Sequence, residues 1–174
     1  VFALPAMQPS ISALVDRFCQ DPTYPPLVRE LATLGETRRY RKDTILIHES
    51  DAGDTLFLVL DGRVKVYCND DHNKEITFGI VGPGEYFGEM ALDGGPRSAS
   101  VVTLESSVCT MLTRTTLLGF IGQHPEFALD LLSKVIRRAR MATNSARNLA
   151  FVDVYGRLSQ CLQELATPQP DGSL

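Results

Sequence analysis

One carboxylate and one guanidinium lie eight residues apart in the segment 87–101, which reads FGEMALDGGPRSASV. Glu89 follows Gly88 at the start of a short apolar turn, and Arg97 follows a Gly-Gly-Pro corner. A carboxylate can accept hydrogen bonds from sugar hydroxyls, and an arginine can donate two parallel hydrogen bonds to a phosphate. The glycines leave the backbone bare, so that a ligand can approach it. The segment therefore has the chemistry to bind a phosphorylated sugar.

Two interpretations of this pair of charges are about equally supported by their spacing. In the first, a 3′,5′-cyclic nucleotide binds here: Arg97 holds the phosphate and Glu89 accepts from the 2′-hydroxyl of the ribose. The free N–H groups of a helical turn opened by Gly88, Glu89 and Met90 would also favour the anion. In the second, Arg97 and Glu89 form a salt bridge that closes a glycine-rich corner, as paired charges at turns often do.

Composition excludes several other classes of protein. The 174 residues are 44% hydrophobic, which fits one globular core, and the formal net charge of −4 disfavours a nucleic-acid surface on these residues. The four cysteines are far apart and no histidine has metal-ligand spacing, so we expect no metal site. Isolated thiols are typical of proteins in the reducing cytoplasm, where we expect this protein to be located. No apolar run reaches the roughly 20 residues that span a membrane. Ser98 has no general base near it in sequence, and Glu89 has no second carboxylate at a plausible distance. We therefore expect that the protein is not an enzyme.

The elements that must position this segment are short strands. Between residues 36 and 114 short runs of β-branched and aromatic residues alternate with turn-forming residues, and two short helices, 10–19 and 27–34, precede them. The pattern predicts an α+β chain in which an antiparallel β jelly-roll (a double-stranded β-helix) is flanked by short helices. Residues 79–97 contain six of the thirteen glycines, which indicates that the backbone there comes close to another group.

A long helix is predicted after the strands, from Pro125 to about Ala150. Its apolar residues recur at spacings of three and four, a period that favours pairing with a second helix. They are Leu131, Val135, Ala139, Ala142, Ala146 and Leu149. We therefore expect this C-terminal helix to dimerise.

Several motifs resemble those of a known family. FGEMAL followed by PRSA resembles the phosphate-binding cassette of cyclic nucleotide-binding domains. Nearly the whole chain is similar to bacterial transcription regulators of the cyclic-AMP receptor protein (catabolite activator) family, including residues 46–49, 56–80 and NLAFVDVYGRL at 148–158. The last of these resembles the junction between the dimer helix and the DNA-binding domain, which the sensors of channels and kinases do not share.

The resemblance implies a site of ten residues for cyclic AMP. In it glycine and glutamate hold the ribose, arginine and serine hold the phosphate, three apolar residues line the pocket, and three residues come from the long helix. In this sequence they are Gly88, Glu89, Arg97, Ser98, Val66, Phe78, Met90, Arg138, Ala142 and Thr143. The family places two hydroxyl residues at the last two positions, facing the base. Because Ala142 cannot donate a hydrogen bond, the choice of adenine over guanine depends on Thr143.

The resemblance also implies an organisation and partners. We expect a cyclic-nucleotide-binding β-roll at 1–123, a dimerisation helix at 124–151, and at 152–174 a hinge and the first helix of a DNA-binding domain whose helix-turn-helix is absent from this chain. The full-length protein would be a homodimer that binds DNA and RNA polymerase, and ligand binding would reposition the DNA-binding domain. Two alternatives stay open: a regulatory module of a channel or kinase, and a regulator gated by cyclic GMP or cyclic di-GMP.

Overall fold

The computed structural model describes residues 9–70, 72 and 74–151. It divides the chain into two compact units, Val1–Ala128 and Leu129–Leu174. The hinge and helix expected at 152–174 lie outside the described residues.

The first unit contains two four-stranded antiparallel sheets. One sheet has the order β1-β8-β3-β6, and the other has the order β2-β7-β4-β5. The strands of the first sheet are β1 Glu36–Tyr40, β3 Leu56–Asp61, β6 Tyr86–Phe87 and β8 Ser107–Leu112. Those of the second are β2 Ile45–Ile47, β4 Val64–Asn69, β5 Glu75–Val81 and β7 Ser100–Thr103.

Among the described residues, four α-helices accompany the sheets. They are α1 Ile11–Gln20, α2 Pro26–Leu31, α3 Arg114–Gln123 and α4 Pro125–Phe151. The side chain of Ser10 caps α1 by accepting from the backbone N–H of Ala13, and Thr113 caps α3 in the same way. No helix among the described residues combines the length and the apolar composition that crossing a membrane requires.

The core of the first unit lies where apolar residues of both sheets meet. It includes Ile47 and Val101 from one sheet and Phe57 and Phe87 from the other. The rings of Phe57 and Phe87 stack with their centroids 5.1 Å apart. Strand β3 is buried along five successive residues because α1 also contacts it. The segment after Phe87 therefore starts from a fixed position in the core.

The first turn of α4 belongs to the first unit. Phe127 is 1% exposed and packs edge-on against Phe120 of α3, with ring centroids 5.3 Å apart. Its ring also lies 5.8 Å from that of Tyr86 in β6. The start of α4 is thus anchored to the strand that leads into Gly88.

The antiparallel sheets, the flanking helices and the long C-terminal helix confirm the expected class of fold. The second helix is shorter than expected, since it ends at Leu31 and not at Leu34. After it the N–H groups of Thr33 and Leu34 bond the carbonyl three residues back, which tightens the chain into turns. The jelly-roll arrangement and the dimerising role of α4 stay predictions.

Candidate functional site

The candidate site begins where Gly88 turns the chain out of β6. Its φ of 89° lies in the left-handed region, and a 3₁₀ helix of five residues, Glu89–Asp93, follows it. A Cβ at this position would lie 2.8 Å from the carbonyl oxygen of Thr55 and 2.9 Å from Nη1 of Arg97. Both the backbone conformation and the close neighbours therefore require glycine.

Arg97 is buried at the centre of this corner, with 7% of its surface exposed. Its Nη1 donates to the carbonyl oxygens of Thr55 and Gly88, both at 2.9 Å. Its Nη2 donates to the hydroxyl of Thr55 at 2.7 Å. Together these three hydrogen bonds tie Arg97 to Thr55 and Gly88 and close the corner.

The charge of Arg97 is costly to bury. Burial lowers the pKa of its guanidinium, and the carboxylate of Asp54 acts in the opposite direction. Arginine nevertheless stays protonated in proteins, so the corner holds a positive charge. The three acceptors of its hydrogen bonds are all uncharged. An anion that entered the corner would therefore be attracted strongly.

A second loop, between β2 and β3, forms the other wall of the corner. The backbone N–H of Arg97 donates to Asp51 at 2.9 Å, and that of Ser50 donates to Arg97 at 2.8 Å. Ser50 has a φ of 68°, which is unusual for a residue with a side chain. These two backbone hydrogen bonds hold the loop against Arg97, and Thr55 at the end of the loop contacts its guanidinium.

Glu89 directly follows Gly88, whose carbonyl oxygen accepts a hydrogen bond from Arg97, and 6% of the surface of Glu89 is exposed. The structure thus brings Arg97 into contact with Gly88, and buried Glu89 follows Gly88 directly in the chain. Met90 and Ser98, beside them in sequence, are both exposed. Among the described residues, no cluster of three or more histidine, cysteine and carboxylate side chains could hold a metal ion.

The other two apolar residues of the expected pocket lie on neighbouring strands. Val66 of β4 is partly buried against the core. Phe78 of β5 is 56% exposed, and it lies in a bulge where the register shifts from the Val66–Gly79 pair to the Tyr67–Thr77 pair. All six residues from Glu75 to Ile80 are exposed, so Phe78 shares its exposure with the rest of β5 up to Val81.

The remaining predicted residues lie on α4, in the second unit. Arg138, Ala142 and Thr143 are exposed there. The hydroxyl of Thr143 donates to the carbonyl of Ala139 at 2.9 Å, one turn earlier in the helix. A shallow groove of about 350 Å³ runs along the same helix, lined by Ile136, Ala139, Arg140, Thr143 and Asn144.

Two residues that lie next to the guanidinium of Arg97 were missed by the sequence analysis. Thr55 contributes two acceptors to the guanidinium, and a Cβ on Gly53 would lie 2.9 Å from both Nε and Nη2 of Arg97. In the sequence Gly53 indicated only a turn and Thr55 only the approach to a strand. They lie more than forty residues before Arg97, and local spacing carries no signal of that contact.

Comparisons with known proteins identify a family and several relatives. A family model described as the cyclic nucleotide-binding domain matches residues 37–124. The chain is 34% identical over 119 residues to the CRP-like cAMP-activated global transcriptional regulator of Mycobacterium tuberculosis, covering 68% of this chain and 53% of that protein. It is 32% identical over 148 residues to the cAMP-activated global transcriptional regulator CRP of Haemophilus influenzae, covering 84% and 66%. Both relatives are named as cAMP-activated global transcriptional regulators.

A solved structure shares the fold. The catabolite activator protein of Thermus thermophilus superimposes with a TM-score of 0.68 at 32% identity, over 77% of this chain and 63% of that one. The chain spans between about half and two thirds of the length of these relatives.

Proposed function

This chain belongs to the family of cyclic nucleotide-binding domains, in its branch of cyclic-AMP receptor protein regulators, and we propose that it binds cyclic AMP as the sensor part of such a regulator. The ligand's phosphate would lie against Arg97 and Ser98, and its ribose against Gly88 and Glu89. Ligand binding in the first unit would be the signal that the rest of the protein reads.

One observation carries the proposal: Arg97 is a buried cation whose hydrogen-bond acceptors are uncharged. A cyclic phosphodiester carries one negative charge on two exocyclic oxygens, and a guanidinium can bind both. Glu89, buried in the turn that follows Gly88, supplies the acceptor for a ribose hydroxyl. A hydrogen-bond donor for the phosphate and a hydrogen-bond acceptor for the ribose hydroxyl match the two polar parts of a cyclic nucleotide.

The rest of the proposed site surrounds the base. Val66, Phe78 and Met90 would supply its apolar part. Two of these, Phe78 and Met90, are 56% and 42% exposed in the single chain, so ligand and partner would cover them. The three helical residues, Arg138, Ala142 and Thr143, would complete the site in the assembled protein, with Thr143 facing the base.

We propose that the assembled protein is a homodimer formed through α4. That helix exposes large apolar side chains to water, which is energetically unfavourable. They are Leu129, Leu132, Val135, Ile136 and Met141. Burying them against a second copy would stabilise both helices. In the full-length protein DNA and RNA polymerase would be the partners. The ligand would shift the DNA-binding domain by favouring one arrangement, with a coupling of about 1–3 kcal/mol.

Titration calorimetry with cyclic AMP, cyclic GMP and cyclic di-GMP tests the proposal. We expect cyclic AMP to bind, and Arg97→Lys to weaken binding about tenfold or more, since a hydrogen bond to a charged group contributes about 1.5–3 kcal/mol. The matched control is Arg63→Lys, because Arg63 is exposed and pairs with Glu105 away from the corner. Absence of binding to all three nucleotides would refute the proposal. Tighter binding of cyclic GMP or cyclic di-GMP than of cyclic AMP would assign that nucleotide as the ligand instead.

A further inference from the structure

We infer that one face of α4 binds the phosphates of double-stranded DNA. The face consists of Arg137, Arg140 and Arg147, whose side chains are all exposed, and we call it the arginine face. The inference goes beyond the proposed function, because it concerns a different ligand on a different surface and requires no bound cyclic nucleotide. It assigns this chain a sequence-independent contact with DNA, in addition to any contact that a DNA-binding domain makes.

The charge of the chain is unevenly distributed. Residues 131–151 contain five of the 17 basic residues and none of the 21 acidic ones. The net charge of −4, which disfavours nucleic acid as a partner of the whole chain, therefore conceals a strongly positive helix. Such a helix attracts a polyanion locally, although the chain as a whole is acidic.

The arginine face occupies one side of the helix. With about 3.6 residues per turn, its three residues fall within about 80° of one another around the helix axis. The apolar seam expected to pair two copies, which includes Val135, Ala139 and Ala142, lies on the opposite side of the helix. Pairing through that seam would therefore leave the arginine face open to solvent.

No carboxylate in the described part of the chain neutralises the arginine face. The salt bridges found there lie elsewhere, and none of them involves Arg137, Arg140 or Arg147. Lys134 and Arg138 of the same helix do have partners, so they are not part of this surface. Like charges three residues apart destabilise a helix, as Arg137 and Arg140 are. An anion bound to both arginines would remove this repulsion.

The dipole of the helix does not account for these cations. Positive side chains stabilise the C-terminal end of a helix, but the effect falls off within the last turn. Because α4 ends at Phe151, Arg137 and Arg140 lie more than ten residues before that end. Their charges are therefore stabilised by solvent or by an anionic partner.

The spacing along the helix fits the phosphates of one DNA strand. Each residue advances an α-helix by about 1.5 Å, so Arg140 and Arg147 are about 10.5 Å apart along its axis. Successive phosphates of one strand of a duplex are about 3.4 Å apart along the DNA axis, so three steps cover about 10.2 Å. An arginine can also bind one phosphate through two parallel hydrogen bonds. Spacing and charge therefore favour a duplex over an acidic protein, whose carboxylates have no such fixed repeat.

Fluorescence anisotropy of a labelled DNA duplex, titrated with the full chain at several salt concentrations, tests this inference. Three phosphate contacts predict a slope of about −2.7 for the logarithm of the affinity against the logarithm of the salt concentration. The affinity should therefore fall about 40-fold between about 50 and 200 mM salt. A second duplex of unrelated sequence should bind within about twofold of the first, because phosphate contacts carry no sequence information.

Replacing Arg140 and Arg147 together by glutamine removes two of the three contacts. Glutamine has nearly the helix propensity of arginine, so α4 should stay intact. We expect the slope to change to about −0.9, which reduces the loss of affinity over the same salt range to about 3.5-fold. The matched control replaces Arg38 and Arg63 by glutamine, which changes the net charge equally at two exposed arginines outside α4. The control should keep the slope of the original chain.

Three outcomes would overturn the inference. It is wrong if the original chain does not bind the duplex at about 50 mM salt, and binding of polyglutamate instead would assign the face to an acidic protein. It is wrong if the control changes the slope as much as the α4 variant does, because binding would then follow net charge. It is also wrong if the α4 variant keeps the slope of the original chain.

Two further measurements keep the result unambiguous. If the double variant loses helical circular dichroism, Arg140→Gln alone repeats the test, with an expected change in slope of about 0.9. Calorimetric titration of the same samples with cyclic AMP separates this inference from the proposed function. Binding of cyclic AMP without binding of DNA refutes only the inference, and binding of DNA without binding of any cyclic nucleotide refutes only the proposed function.

Discussion

Replacing Gly88 by alanine tests whether the corner around Arg97 needs a bare backbone. Two glycines of the segment share one conformation, with φ of 89° at Gly88 and 90° at Gly94. Alanine at either position has the cost of the left-handed region, about 1–2 kcal/mol. At Gly94 a Cβ meets nothing within 4 Å in the part of the chain that the structure describes. Gly94→Ala is therefore a control for backbone conformation alone.

At Gly88 the added Cβ also meets two groups that are bonded to each other. It would lie 2.8 Å from the carbonyl of Thr55 and 2.9 Å from Nη1 of Arg97. That carbonyl and that nitrogen form a hydrogen bond of 2.9 Å, so alanine has to separate them. Loss of one such charged hydrogen bond adds about 1.5–3 kcal/mol. We expect Gly88→Ala to lose about 2.5–5 kcal/mol of folding free energy in total, and Gly94→Ala about 1–2 kcal/mol.

Urea unfolding and calorimetric titration with cyclic AMP measure the two variants. We expect Gly88→Ala to unfold at a lower urea concentration and to bind cyclic AMP more weakly, because Arg97 has moved. Gly94→Ala should bind as the original chain does. If both variants lose the same stability and bind cyclic AMP as tightly as the original chain does, the contacts around Gly88 contribute nothing and the reasoning is wrong.

Two further predictions concern the core that supports the corner. Phe127→Ala should reduce the free energy of unfolding by about 3–5 kcal/mol, since Phe127 is 1% exposed, whereas Leu118→Ala, at a 51% exposed position, should change it by less than about 0.5 kcal/mol; urea unfolding of both measures the difference. Burial raises the pKa of the Cys109 thiol from 9.0 to about 12, so the contribution of this thiol to stability should be constant below pH 9 and fall as the pH rises from there toward 12, because the unfolded chain releases this proton first. Melting temperatures measured across that range should fall less in Cys109→Ser, and an equal fall would contradict the assignment.

The sequence predicted the parts of this chain that depend on local pattern. Short runs of β-branched and aromatic residues predicted the strands β2, β3, β4, β5 and β7, and Pro125 predicted the start of α4, because these signals lie in neighbouring residues. Strand β6 has only two residues, Tyr86 and Phe87, and so it carries no periodicity to detect. The strands at 36–40 and 107–112 were not separately predicted either, although five of the six residues of the second are buried.

The candidate site divides in the same way. Gly88, Glu89 and Arg97 were found from one short segment, and the structure places them in one corner. The groups that hold Arg97 there, Thr55 and the loop with Gly53, come from a distant part of the chain. No residue near Arg97 in sequence indicates them, since the contact exists only after β3 and β6 pair.

The sequence by itself determined which chemical groups this protein can offer: a carboxylate and a guanidinium at a glycine-rich turn, carried by an antiparallel β fold with a long helix after it. Only the tertiary structure decided how the guanidinium is used. Pairing of distant strands buries Arg97 and engages three of its donors with Thr55 and Gly88. The physical reason is that residue types fix the available charges and hydrogen bonds, whereas the direction in which they point is set by contacts between distant segments.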